Sequence, residues 1–70
     1  MPDSVYKVID IVGSSDESWE KAASAAVSRA GQSLRDLRIA EVVNQDVVIA
    51  DGKITAFRVR MNLSFKFEDG

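Results

Sequence analysis

The sequence predicts an α+β domain of the order β-α-β-β, a three-stranded antiparallel sheet wrapped around one helix. Three observations predict it. From Phe57 onward the odd positions read Phe57, Val59, Met61, Leu63, Phe65 and Phe67, and the even positions read Arg58, Arg60, Asn62, Ser64, Lys66 and Glu68. A period of two sustained this far marks one long strand with a dry face and a wet face. Between Asp16 and Leu34 the apolar residues Trp19, Ala22, Ala23, Ala26, Val27, Ala30 and Leu34 form a single helical stripe. Ala50-Asp51-Gly52-Lys53 then sets Asp-Gly between two β-rich runs, a strong hairpin signal.

The elements follow in order. Met1 to Ser4 is a polar start that we expect to fray. Val5 to Val12 is rich in β-branched residues and reads as the first strand, apolar at both parities. Gly13-Ser14-Ser15 is expected to break that strand and start the helix. With Ser14 as N-cap, Glu17 falls at the third helical position and closes a capping box. Asp16 and Glu17 place negative charge at the positive end of the helix dipole. A phosphate cradle is the competing reading of a glycine before a helix; no lysine follows and two acids do, so the cap is preferred. Small alanines let the helix lie close to the sheet. Trp19 opens the stripe and is read as packing rather than as a stacking platform. Glu20, Lys21, Ser24, Ser28 and Gln32 fall on the wet side. Leu37 to Ile49 is the second strand, and Ile54 to Glu68 the third.

Composition narrows the chemistry. Seventy residues form one domain, 1–70, and a chain of this length buries only about 60% of its unfolded surface. Cysteine and histidine are both absent, which removes disulfides, thiolate metal sites and the commonest general base. Small domains without such staples gain burial by self-association. A net charge of −2 argues against non-specific nucleic-acid binding. No apolar run is long enough to span a membrane, and a soluble, cytoplasmic protein is expected. No nucleophile stands with a recognisable base, and no enzyme is read here.

One helix covers one face of the sheet and leaves the other open. On the third strand the open face carries Arg58, Arg60, Asn62 and Lys66. On the second strand Leu37, Ile39, Glu41, Val43 and Gln45 share a parity and are assigned to the same face, with Ala40 and Val42 turned toward the helix. Mixed apolar and charged surfaces of this kind receive partners or ligands, or are simply solvated.

At this point the whole chain resembles a dodecin. The resemblance rests on Tyr6-Lys-Val-Ile-Asp-Ile-Val-Gly-Ser-Ser15, the helix ending Ser28-Arg-Ala30, Leu37 with Glu41-Val42, Asp51-Gly52, and Phe65-Lys-Phe-Glu-Asp69. It implies the β-α-β-β fold derived above, assembling with itself into a hollow homododecameric shell. It also implies flavin held in pairs at two-fold interfaces, for storage and protection rather than turnover. The flavin-binding pattern has an aromatic stacking residue where this chain has Ile39, and a ring-contacting glutamine where it has Arg58. An isoleucine offers no aromatic face, and an arginine is longer and always charged. Flavin is therefore disfavoured as a cofactor. The altered slot is expected to involve Arg38, Ile39, Glu41, Gln45, Arg58 and Arg60, and its two cations Arg38 and Arg58 suit an anionic small molecule. Where the resemblance leads one to expect an acid and a base, the chain has Arg38 and Asp46, which suggests a swapped contact between subunits. The resemblance also implies calcium as a candidate, since some members without the aromatic residue are associated with it. Calcium needs six to eight oxygen ligands; no loop of spaced acids is present, so its ligands would come from more than one copy and are not identified. The leading expectation is a non-catalytic ligand-binding or storage shell, with weak flavin binding and interface calcium as alternatives.

Overall fold

A computed structural model describes residues 3–66. Strand β1 (Tyr6–Ser15), helix α1 (Trp19–Ser33), strand β2 (Leu37–Ala50) and strand β3 (Lys53–Lys66) follow in that order. The sheet order is β1-β3-β2 with both pairs antiparallel. The alternating C-terminal strand is thus the central one, and its dry row is buried deepest. Val59, Met61 and Leu63 are each 1% exposed and pack on Ala22 and Ala26 of α1. Ile9, Ile11, Trp19, Ala23, Ala30 and Leu37 border this core. Phe57 and Phe65 are half-buried at its two ends. Phe67 and Glu68, read as the end of the third strand, lie outside the described residues, as do Met1 and Pro2 of the expected frayed start.

The hairpin forms as its Asp-Gly pair requires. Ala50 pairs with Lys53, and Asp51 and Gly52 take φ of 53° and 74°. Positive φ at both central positions is the two-residue turn whose twist matches the flanking strands. Among the described residues no helix is long and apolar enough to cross a membrane.

The start of the helix corrects the sequence reading. Gly13, Ser14 and Ser15 do not break β1; they continue it, opposite Val59, Arg58 and Phe57. The N-cap is Ser18, not Ser14: its backbone is extended and its hydroxyl accepts from the Lys21 amide at 3.0 Å. Glu17 precedes the helix and closes no capping box. Its amide donates to the Ser15 hydroxyl, and its carboxylate lies 3.7 Å from Lys21. Gly13 serves packing instead of punctuation. A Cβ built there would overlap the Ala22 carbonyl oxygen and sit 2.9 Å from Ala26 Cβ, so the helix crosses β1 where a side chain is missing. Further along the helix the stripe narrows. Val27 is 36% exposed and Leu34 is the half-buried C-cap, whose amide donates to Ala30.

The second strand departs from simple alternation. Its pairing with β3 shifts between Leu37 and Ile39, between Val42 and Asn44, and between Val48 and Ile49. Residues directly opposite one another share a face. Leu37 opposes Phe65 and borders the core; Gln45 opposes Val59 and lines a hollow with Trp19 and Val42. Both therefore lie on the helix side and not on the open face expected for them. Arg38 and Val43 are the extra residues that the shifts leave without a direct partner. Ile39 and Glu41 keep the open-face positions expected of them, opposite Ser64 and Asn62; Ala40 and Val42 oppose Leu63 and Met61 on the helix side as expected, but Val42 stays 52% exposed, beyond the helix's cover.

Candidate functional site

The open face is built from the residues of β3 that alternate away from the helix. Their β1 neighbours are Tyr6, Val8, Asp10, Val12 and Ser14; their β2 neighbours are Ile39, Glu41, Asn44, Asp46 and Val48. Its centre is two ion pairs side by side. Arg58 donates from Nε and Nη2 to the two oxygens of Asp46, both at 2.7 Å. Arg60 donates to Asp10 from Nε at 3.2 and 3.1 Å and from Nη2 at 2.5 Å. One arginine thus ties β3 to β2 and the next ties β3 to β1. The fork of a guanidinium matches a carboxylate in this way, and a lysine could not replace it.

These bonds shift both partners. Hydrogen bonding to Arg58 holds the Asp46 carboxyl below its ordinary 3.8, and Arg60 does the same to Asp10; each arginine is raised in return. A carboxyl whose folded-state pKa is depressed contributes stability that is present above its unfolded value and is lost as pH falls through the folded value. We therefore expect stability to decline as the pH drops below about 4. Asp10→Asn with Asp46→Asn should flatten that acid limb, read as the urea midpoint at pH 7 against that at pH 3. The pairs are exposed, so the change is modest; identical acid limbs in the two proteins would refute their role.

Asp46 also reaches the other side of the sheet. Its backbone oxygen accepts from Trp19 Nε1 at 3.1 Å, and the Trp19 ring meets Phe57 edge-on with centroids 5.2 Å apart at 78°. Trp19 is a packing residue, as its place in the stripe predicts.

The expected ligand residues do not converge within one chain. Ile39 is 64% exposed and, with Arg38, Val27 and Leu37, borders a hollow of ≈ 140 Å³ at the start of β2. Arg38 lies 4.0 Å from Asp36, while Arg58 and Arg60 are engaged by Asp46 and Asp10. Ile39 stands opposite Ser64 and Asp46 opposite Arg58. Six residues of strand thus separate Ile39 from Arg58, roughly 20 Å at ~3.4 Å per residue. A pocket using both residues needs two copies of the chain. Gln45 is on the wrong face to join it. The Asp46 carboxylate, expected to face Arg38 of another subunit, is taken by Arg58 of its own chain. Glu41 lies on the open face beside Asn62. For calcium the fit within one chain fails: among the described residues no three acidic side chains cluster where they could hold a metal ion.

What sequence reasoning missed is that two of the open-face cations, Arg58 and Arg60, are already paired with acids of their own chain. The signal was present as Asp10 and Asp46 at strand positions, each within reach of a β3 arginine once the register is known.

The dodecin family model matches residues 5–68. The chain is 53% identical over 64 residues to calcium dodecin of Mycobacterium tuberculosis, covering 90% of this chain and 89% of that protein. The crystal structure of that calcium-chelating immunodominant antigen, with a novel calcium-binding site, superposes with a TM-score of 0.82 at 50% identity over 93% of each chain. The dodecin of Streptomyces coelicolor superposes with a TM-score of 0.93 at 34% identity over the whole of both chains.

Proposed function

The chain belongs to the dodecin family, and from that premise we propose that it is a non-catalytic homododecameric shell whose small-ligand slot, formed between copies, is not built for flavin. The observation that carries this reading is the open face itself. Arg58 is locked to Asp46; by the resemblance to flavin-binding members, it stands at the ring-contacting position and Ile39 stands where they carry an aromatic ring. Stacking is worth about 1–3 kcal/mol per ring, and here it is missing from the start. Arg38, Ile39 and Glu41 are proposed to border the slot from one copy and Arg58 and Arg60 from another. An anionic ligand entering there must displace Asp46 or Asp10 from its arginine.

A second reading is favoured by the relative at 53% identity that is named a calcium dodecin. Calcium bound between copies would draw oxygens from acids that one chain keeps apart. We infer no ligand set, because no acidic cluster exists within one chain among the described residues.

Flavin titration tests the proposal. Flavin mononucleotide, mixed with an excess of wild-type protein, should lose little of its fluorescence. Ile39→Trp combined with Arg58→Gln should tighten binding by about tenfold or more, since tenfold corresponds to ~1.4 kcal/mol, within the range of one stacking contact. Tight binding by the wild type refutes the proposal. A double variant that assembles but binds no better shows that the slot lies elsewhere. Calcium content of protein purified without chelator, against a chelator-treated control, decides the second reading.

A further inference from the structure

The hairpin projects beyond everything that could support it. β1 ends at Ser15 opposite Phe57, and Trp19 at the start of α1 covers Phe57. Residues 48–56 therefore continue as a bare two-stranded ribbon, and the described residues measure 54 Å along their longest axis. Two strands alone are marginal in water. Alternation along β2 from Val47 puts Ile49, with Ile54 opposite it, on the same side as Phe57. This is the dry row of the core extended past the helix, and there Ile49 is 65% exposed and Ile54 56%.

An apolar groove of ≈ 310 Å³ lies between β1 and α1, lined by Ile11, Gly13, Ala25, Ala26, Arg29 and Ala30. There the edge strand faces small residues of the helix. Arg29 is the charged side chain in its lining, and among the described residues it makes no ion pair within its chain. Asp51, at the tip of the ribbon, likewise makes none.

We propose that the occupant of this groove is the β2–β3 ribbon of a second copy, with Ile49 and Ile54 seated on Ala25, Ala26 and Ala30 and Asp51 against Arg29. The two surfaces are different patches, so the contact is heterologous and head-to-tail, and it closes into rings when its rotation permits. It removes two exposed isoleucines from water and supports a ribbon that cannot support itself. The inference rests on the shell reading above and assigns one of its interfaces.

Cysteine trapping tests it, because the chain has no native cysteine. Arg29→Cys and Asp51→Cys are introduced singly and together, the proteins are oxidised, and linkages are mapped by peptide mass. The double variant should yield 29–51 disulfides between chains as its main product, and each single variant should yield little dimer. In parallel, Ala25→Trp, which fills the groove at an exposed helix position, and Ile49→Asp should lower the subunit count seen by native mass spectrometry while the circular dichroism of the fold persists. A wild-type shell with no 29–51 linkage, or with both variants assembling as the wild type does, overturns the ribbon contact and leaves the shell standing. A wild-type monomer overturns both.

Discussion

Val59→Asp is expected to yield a chain that does not fold. Val59 is 1% exposed at the middle of the central strand, between Gly13 on β1 and Gln45 on β2, under the alanine face of the helix. A carboxylate there is sealed beneath the helix, and the arginines beside it on β3, Arg58 and Arg60, point to the opposite face and are occupied. Burying an unpaired charge costs several kcal/mol even after relaxation. At about 0.05–0.15 kcal/mol per residue, a domain this small holds roughly 4–10 kcal/mol in total. The substitution removes most or all of it. Far-UV circular dichroism and resistance to proteolysis provide the check. Val8→Asp is the control, since Val8 lies on the open face and is already exposed, and that variant should keep its fold. A folded Val59→Asp protein would mean that the helix does not cover this row. Phe65→Asp should act in the same direction with less force, because Phe65 is only half-buried.

The second large effect is expected at Gly13. Gly13→Ala should destabilise the protein by about 1–3 kcal/mol through overpacking, and Gly13→Val by more. The limiting neighbour is the Ala22 carbonyl, which is backbone and cannot swing aside; Ala26 Cβ at 2.9 Å is the lesser obstacle. Removing that methyl with Ala26→Gly should therefore fail to rescue Gly13→Ala. Urea unfolding of the single and double variants decides the matter. A neutral Gly13→Ala, or full rescue by Ala26→Gly, would show that the helix crosses β1 elsewhere.

These two sites also show which parts of the fold could be read in advance. The burial of Val59, Met61 and Leu63 was legible because β3 is central and alternates without interruption across the core. The turn was legible because Asp51 and Gly52 are the residue types that accept positive φ. Gly13 was misread because Gly-Ser-Ser usually punctuates a chain. The clue that it does not lies elsewhere, in Ala22 and Ala26, whose small side chains bring the helix backbone close to whatever strand lies beneath. Leu37 and Gln45 were placed on the wrong face for another reason. Parity counted along β2 assumes an unbroken period of two, and the extra residues Arg38 and Val43 reset it.

The site was harder to read than the fold. Counting back from the Ala50–Lys53 pair in a regular hairpin would set Asp46 opposite Phe57. The shift near Val48, with Thr55 as the extra residue, sets it opposite Arg58 instead. The Thr55 hydroxyl donates to the Val48 carbonyl at that point. One displaced residue thus converts two separate charges into a bidentate pair and changes what the open face can bind. Ile39 was legible by type, since no register alters the fact that it lacks a ring. Its roughly 20 Å separation from Arg58 at ~3.4 Å per residue was not, because it follows from register.

Native mass spectrometry of protein purified without chelator tests the central claim most directly, because subunit number and retained ligand appear in one spectrum. The account predicts a dodecamer whose mass carries no flavin. A monomer at working concentration, or a dodecamer that retains flavin, would contradict it.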